Sequence, residues 1–271
     1  MTDRAAGLSV VIPAYDEESR IPSTLERVHG FLSERGGDWE IIVVDDGSAD
    51  RTADVVSDFA GTHSRVRLLR APHLGKGGAV RAGMLDSRAE YRFLCDADLS
   101  MPIEQIERFL ERMDDCDVAI GSRECHGSVR VDEPFRRHAM GRAFNSVVRA
   151  LAVPGIQDTQ CGFKCFRGAV ARRLFGRQRL DGFAFDVEVL FLALKERFRI
   201  LEVPIDWHFR EESKVDPLRD SVRMFRDVVR VRWNDLRGRY RVDPSRVDLH
   251  EPRELPESTP RLAPVEESTV S

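Results

Sequence analysis

No stretch of the 271-residue chain reaches the roughly 18 consecutive apolar residues that a transmembrane helix requires, so no spanning segment is expected. The start, Met1-Thr2-Asp3-Arg4, is polar and leads into only a short apolar run, which is not the pattern of a secretory signal. Cysteine is scarce. Its five residues are an odd number without zinc spacing, which points to reduced thiols in a cytosol rather than a disulfide framework. Charge of one sign is also lacking: a formal −4 argues against general nucleic-acid binding. From Asp243 onward there are seven acids and three arginines, itself −4, so the preceding body is balanced near zero. No internal repeat is visible.

What is present is a 42% hydrophobic chain with a core's worth of apolar residues and an ordinary 32% charge. Leu8-Ser9-Val10-Val11-Ile12, Ile41-Ile42-Val43-Val44, Val66-Arg67-Leu68-Leu69, Tyr91-Arg92-Phe93-Leu94-Cys95 and Val118-Ala119-Ile120 read as short buried strands. Helices fall between them. One covers 23–35, with Leu25, Val28, His29 and Leu32 at three- and four-residue spacing; a second, capped by Ser48 or Asp50, runs to Phe59. A third opens at Gly75-Lys76-Gly77-Gly78, and a fourth spans 103–113. Near-continuous apolar strands alternating with helices predict an α/β fold with a doubly wound, mostly parallel sheet. The second half is less regular. It reads as a mobile loop over 124–134, helices over 135–152 and 185–198, strands over 162–166 and 200–207, and an amphipathic helix over 217–239. Residues 1–242 form one expected domain, and 243–271, with five prolines and many acids, an expected disordered tail.

Three polar elements end successive strands: Pro13-Ala14-Tyr15-Asp16-Glu17, Asp45-Asp46-Gly47-Ser48 and Asp96-Ala97-Asp98. In a parallel sheet all three fall on the carboxyl edge, where open α/β sheets bind ligands. Two carboxylates one residue apart repel unless a cation sits between them, and oxygen-only ligands favour Mg²⁺ or Mn²⁺. An isolated Asp-x-Asp is more often a solvated turn, here before Pro102, and Asp45 or Asp46 alone serves equally well as a helix cap. Three acidic strand ends converging on one edge turn the reading toward a metal on a substrate's phosphates. A dinucleotide-binding oxidoreductase does not fit. The first strand leads to acids rather than a glycine-rich turn, and those acids would repel pyrophosphate.

Val11-Ile12-Pro13-Ala14-Tyr15-Asp16-Glu17, Val44-Asp45-Asp46-Gly47-Ser48, Gly75-Lys76-Gly77-Gly78-Ala79 and Asp96-Ala97-Asp98 together resemble the nucleotide-sugar half of family 2 glycosyltransferases with the GT-A fold. Further on, Asp158-Thr159-Gln160-Cys161-Gly162-Phe163-Lys164, Phe183-Ala184-Phe185-Asp186-Val187-Glu188 and Glu212-Ser213-Lys214-Val215 resemble the dolichyl-phosphate β-glucosyltransferases and related bacterial enzymes. Dolichol-phosphate mannose synthases are close cousins. The likeness runs in consistent order from about Leu8 to Arg237 and omits the tail. It implies that Pro13, Tyr15, Glu17 and Asp45 hold the base and ribose of a nucleotide sugar, that Lys76 and Gly77 border the nucleotide, and that Asp96 and Asp98 hold Mg²⁺ or Mn²⁺ on the diphosphate. Ser100 stands where mannose synthases of this group often carry Gln, so water is left as an alternative third ligand. The likeness also implies that Arg123, Arg136 or Arg137, Arg210 and Lys214 meet phosphate, a role suited to forked guanidinium donors.

The activity so implied is inverting, metal-dependent transfer of a hexose, foremost glucose from UDP-glucose, to a polyprenyl or dolichyl phosphate. A sugar hydroxyl needs a carboxylate base, whereas a phosphate monoester, with its second pKa near ~6, is already largely dianionic at neutral pH. The arginines supply positioning, and the Gln-x-x-Arg-Trp motif of processive polysaccharide synthases is missing. Asp158, Asp186 and Glu188 are the candidate bases should the acceptor be a hydroxyl; their other reading is to orient the arginines or the sugar. GDP-mannose as donor, a soluble hydroxyl acceptor, and an inactive nucleotide-sugar-binding module are the alternatives, the last opposed by intact Asp96, Asp98, Arg123 and Lys214. The 217–239 helix places Leu218, Val222, Phe225, Val229, Trp233 and Leu236 at helical spacing among arginines. It reads either as a helix lying on an anionic membrane or as one packed on the domain with a solvated basic face. A cytoplasmic location is expected, with peripheral contact on the inner face of the membrane.

Overall fold

The computed structural model describes residues 7–132, 142, 145, 146, 148–209 and 217–241, with 217–222 described by backbone alone. Chain order begins β1 (Leu8–Ala14), α1 (Ile21–Arg35), β2 (Trp39–Asp45), α2 (Thr52–Thr62), β3 (Val66–Arg70), α3 (Lys76–Asp86) and β4 (Tyr91–Leu94). After a 3₁₀ turn (Ile103–Gln105) come α4 (Ile106–Leu110), β5 (Val118–Ser122), β6 (Val129–Val131), β7 (Lys164–Arg167) and α5 (Gly168–Phe175). The last elements are α6 (Phe185–Lys195), β8 (Ile200–Pro204), β9 (Asp206–His208) and α7 (Pro217–Leu236). Seven strands form one sheet in the order β3-β2-β1-β4-β7-β5-β8, parallel except for β7, which runs antiparallel between β4 and β5.

Because side chains alternate across a strand, each apolar run feeds two cores. Val10, Ile12, Ile41, Val43 and Phe93 face one, with Leu25, Val28 and Leu32 of α1 and Phe109 of α4. Val11, Ile42, Val44 and Leu94 face the other, with Val80 and Met84 of α3, Leu174 of α5, and Val187 and Leu190 of α6. The doubly wound sheet is therefore as the sequence predicts, and both of its faces are covered.

Some local expectations change. The predicted 200–207 strand is two: Pro204 cannot continue a hydrogen-bonded ladder, and β9 instead pairs with β6 in a small second sheet. The segment 124–134 therefore is not a plain loop, since β6 lies within it. The 103–113 helix opens as a 3₁₀ turn and continues only through Leu110. The 185–198 helix stops at Lys195, ahead of Arg197 at φ 61°. Most of the predicted 135–152 helix and the tail from 243 lie outside the described residues. Cys95, Cys116, Cys161 and Cys165 are free and buried, which pushes their thiols up, Cys161 to about 12.

Tyr240, just beyond α7, closes the described fold. Its ring is fully buried, its hydroxyl donates to Glu188 and lies 3.2 Å from Asn234 Nδ2. We propose that the domain ends here, at 242. A chain stopped after residue 242 is then expected to melt within about 2 °C of the full chain, whereas one stopped at Gly238 loses about 3–5 kcal/mol. Thermal denaturation of the two truncations separates these outcomes, and equal midpoints would refute the boundary.

Candidate active site

The carboxyl ends of β1, β2, β4 and β5 open into one cleft of about 650 Å³, walled on the far side by α7. Two loops on its floor are clasped together. The Asp16 N–H donates to Ser48 Oγ (2.9 Å), Glu17 N–H to Thr52 Oγ1 (2.7 Å), and Ala49 N–H back to Asp16 Oδ1 (2.8 Å). The clasp holds Asp16 at φ 51° and presents Tyr15, which stacks on His73 at 4.3 Å between centroids and 24° between planes. Pro13, Tyr15 and Glu17 all line the cleft.

The two acids after β2 divide their work. Asp45 is buried away from the cleft wall, where its Oδ1 accepts the Ser48 N–H at 3.3 Å. Asp46 lines the cleft and accepts the Leu74 and Gly75 N–H groups at 3.0 Å each, with His73 Nδ1 2.9 Å away. That carboxylate fixes the turn that delivers Lys76. Gly75 sits at φ 111° with Asp181 O only 2.8 Å from where a Cβ would be, so both conformation and space demand glycine. Gly77 is also spatially required, but for packing: a Cβ there would meet Phe185 Cβ at 2.6 Å, and the residue is not on the cleft wall.

Asp96, Asp98 and Lys76 meet on the cleft wall. Thr24 Oγ1 donates to Ala97 O (2.6 Å) and Ser100 N–H to Asp98 Oδ1 (2.9 Å), pinning the Asp-Ala-Asp turn from both sides. Lys76 Nζ lies 2.7 Å from Asp96 Oδ1. Burial alone would depress the Lys76 ammonium, but Asp96, Asp186 and Asp98 outweigh it and hold the group above its ordinary range. The corner is thus strongly attractive to cations. Gly162 leaves Asp96 its room, since a Cβ there would fall 2.0 Å from Asp96 Oδ2. Two half-buried carboxylates facing a cleft, with no third His, Cys, Asp or Glu grouped with them among the described residues, fit a hard cation completed by water and phosphate oxygens. Asp96 and Asp98 would hold it there.

Arg123 stands at the end of β5, on the cleft wall. Asp158, fully buried behind it, accepts its Nε (2.6 Å), Nη2 (2.9 Å) and backbone N–H (3.1 Å). Burial would raise the Asp158 carboxyl, but the Arg123 guanidinium holds it below the usual carboxylate range. The guanidinium carbon lies 5.3 Å over the Trp207 ring. Asp158 itself is off the wall. Glu188, also off the wall, accepts the Arg179 and Leu180 N–H groups (2.9 and 2.8 Å) and Tyr240. Asp186, by contrast, lines the cleft, with its Oδ1 on Lys164 Nζ (2.6 Å) and its carboxyl raised by burial against the pull of Lys164 and Lys76. Arg136, Arg137, Arg210 and Lys214 lie outside the described residues.

Several wall residues were not singled out in the sequence as part of a site: His73, Gly162, Trp207, and Arg223, Met224 and Asp227 of α7. Gly162 left a signal as part of the 158–164 motif, and the α7 group left another, because a helix with acids on one side and an apolar stripe on another already divides its faces. Burial raises the Asp227 carboxyl, against the pull of Arg230, Arg223 and Arg226.

A family model described as "Glycosyl transferase family 2" matches residues 9–175. The chain is 38% identical over 250 residues to the dolichyl-phosphate beta-glucosyltransferase of Dictyostelium discoideum, covering 87% of this chain and 76% of that protein. It is 35% identical to the Saccharomyces cerevisiae protein of the same name (88% and 78% covered) and 32% to the Homo sapiens one (88% and 79%). Among solved structures it resembles Mycobacterium tuberculosis glucosyl-3-phosphoglycerate synthase in complex with Mn²⁺, UDP-glucose and phosphoglyceric acid. The TM-score is 0.59 at 17% identity, with 89% of this chain and 82% of that one covered. It also resembles mannosyl-3-phosphoglycerate synthase from Rubrobacter xylanophilus, with TM-score 0.61, 19% identity, and 93% and 79% covered. The structures establish the GT-A fold, and the sequence matches establish descent: the chain belongs to glycosyl transferase family 2 and is a glycosyltransferase.

Proposed function

We propose that the chain transfers glucose, with inversion, from UDP-glucose to a polyprenyl phosphate. The observation that carries the acceptor half is Arg123 held on the cleft wall by a buried carboxylate, while Asp158 and Glu188 lie off that wall and Asp186, which lines it, is paired with Lys164. A dianionic phosphate needs no base. Its requirement is a fixed cation, and Arg123, clamped along its Nε–Nη2 edge by Asp158, meets it. The relatives named for dolichyl phosphate favour the same chemistry.

On the donor side, Pro13, Tyr15 and Glu17 would border uracil and ribose, with Tyr15 held flat by His73. Asp45 acts through the loop rather than by touch, and Asp46 with Gly75 sets Lys76 where its ammonium can meet the diphosphate. Asp96 and Asp98 would hold Mg²⁺ or Mn²⁺, which offsets charge on the departing UDP. Arg137, Arg210 and Lys214 keep their proposed phosphate contacts on the strength of sequence alone. A cytoplasmic protein resting on the membrane's inner face would reach such an acceptor.

Calorimetric titration with UDP-glucose, UDP, GDP-mannose and GDP tests the donor, and organic extraction of labelled polyprenyl product tests the transfer. Tight GDP binding without UDP binding would overturn glucose in favour of mannose. Binding without turnover on any acceptor would indicate a nucleotide-sugar-binding module. Asp186 and Asp227 motivate one rival, a hydroxyl acceptor, because both are acids on the wall with a raised pKa, and Asp227 is the one without a lysine at 2.6 Å. Asp227→Asn is expected to lower kcat by less than about fivefold; a loss above about 100-fold would make Asp227 a base and the acceptor a hydroxyl.

A further inference from the structure

Over residues 223–236 of α7, where side chains are described, the apolar stripe is not the face that packs. Met224, Val228, Val231 and Asn234 are the buried residues there, whereas Phe225, Val229, Trp233 and Leu236 are 46%, 47%, 52% and 78% exposed. Arginines border that stripe: Arg226, Arg230, Arg232 and Arg237 are all exposed, and Arg237 lies 4.5 Å over the Trp233 ring. The two acids of α7 with described side chains are elsewhere. Asp227 turns to the cleft and Asp235 pairs with Lys195 on the inner side.

We propose that this outer face of α7 rests on an anionic lipid bilayer. The surface has the two parts such contact requires: an apolar strip to enter the headgroup boundary and cations beside it to meet lipid phosphates. A second copy fits poorly, because pairing the stripe with itself would bring arginines of two helices together with neither of the described acids of α7 between them. Position supports the bilayer as well. Arg223, Met224 and Asp227 of the same helix wall the cleft, so a membrane on its outer side lies about one helix diameter, ~10 Å, from the cleft wall. This deepens the proposed use of a polyprenyl phosphate by naming the surface through which it is approached, and it rests on that reading for its purpose.

The protein carries its own reporter. Of its three tryptophans, Trp39 and Trp207 are 4% and 8% exposed, so an environmental change at the surface reads out through Trp233. The full chain is mixed with vesicles of phosphatidylcholine alone or with phosphatidylglycerol added, and followed by tryptophan emission and co-sedimentation. A blue shift and sedimentation are expected with the anionic vesicles only. The Val229→Ser/Leu236→Ser variant, altered at exposed positions that retain Trp233, should lower partitioning about tenfold. Absence of binding, or equal binding by the variant, overturns the proposal. So does a concentration-dependent doubling of mass that the variant abolishes, which would assign the face to a second copy. UDP-glucose calorimetry on the same samples keeps the readings apart. Donor binding without vesicle binding rejects only this surface, and the reverse rejects only the donor.

Discussion

Replacing Asp98 with alanine is expected to reduce kcat about 1000-fold or more, near 4 kcal/mol of transition-state stabilisation, while the melting midpoint moves by only about 2–3 °C. The asymmetry follows from position. Asp98 is half-buried on the cleft wall and accepts the N–H of Ser100, which lines the same cleft, so water entering the cleft can take the place of the lost carboxylate. Asp96 is a less clean probe. Its removal also strips Lys76 of a partner 2.7 Å away and opens space against Gly162, so stability and catalysis would fall together. Two measurements check the Asp98 expectation without mixing binding and chemistry. Chelation should silence the unaltered enzyme, with recovery on adding Mn²⁺ or Mg²⁺. Free Mn²⁺ measured by its resonance signal in the presence of UDP should fall with the unaltered chain and remain with Asp98→Ala. Full turnover in chelator would remove the metal from the reaction.

What the sequence shows of this site divides along a physical line. β1, β2, β4 and β5 are legible because each is a short apolar run that can only be buried, and their parallel order puts every following acid on one edge. Lys76, Asp96 and Asp98 thus come together as expected from position alone. Tertiary choices are not legible. Whether Asp45 or Asp46 faces the cleft depends on one residue of register at the strand end, and the structure turns Asp46 outward to hold Leu74 and Gly75. β7 reads as a strand, but its antiparallel pairing with β4 and β5 is a long-range choice that no local pattern discloses. The α7 stripe misleads most. Helical spacing shows that Phe225, Val229, Trp233 and Leu236 share a face, yet which face meets the core is decided by Met224, Val228 and Val231, whose spacing is equally helical. Periodicity reveals faces, and burial assigns them.

Asp158→Ala is expected to destabilise the fold by about 3–5 kcal/mol, because it strands the Arg123 guanidinium beside a fully buried gap. Asp158 is joined to Arg123 by three contacts across 35 residues of sequence, a partnership that no local pattern discloses. The sign of its pH dependence is set by the depressed carboxyl. Its stabilisation is present above the unfolded value near ~3.9 and disappears as pH falls through the lower folded value, so Asp158→Asn should lose this part of the acid transition. Catalysis distinguishes a positioning role from a base. If Asp158 serves only to aim Arg123, then Asp158→Ala, Arg123→Ala and the double variant should reach the same residual kcat, with the acceptor KM raised in each, because the second removal has nothing left to disturb. A base would behave otherwise. Asp158→Ala would then fall well below Arg123→Ala, and the acidic limb of its pH–rate profile would vanish while that of Arg123→Ala persisted. The buried position of Asp158, off the cleft wall and behind the guanidinium it holds, argues for the first outcome, since a proton acceptor needs a path to the group it deprotonates and this carboxylate has Arg123 in the way.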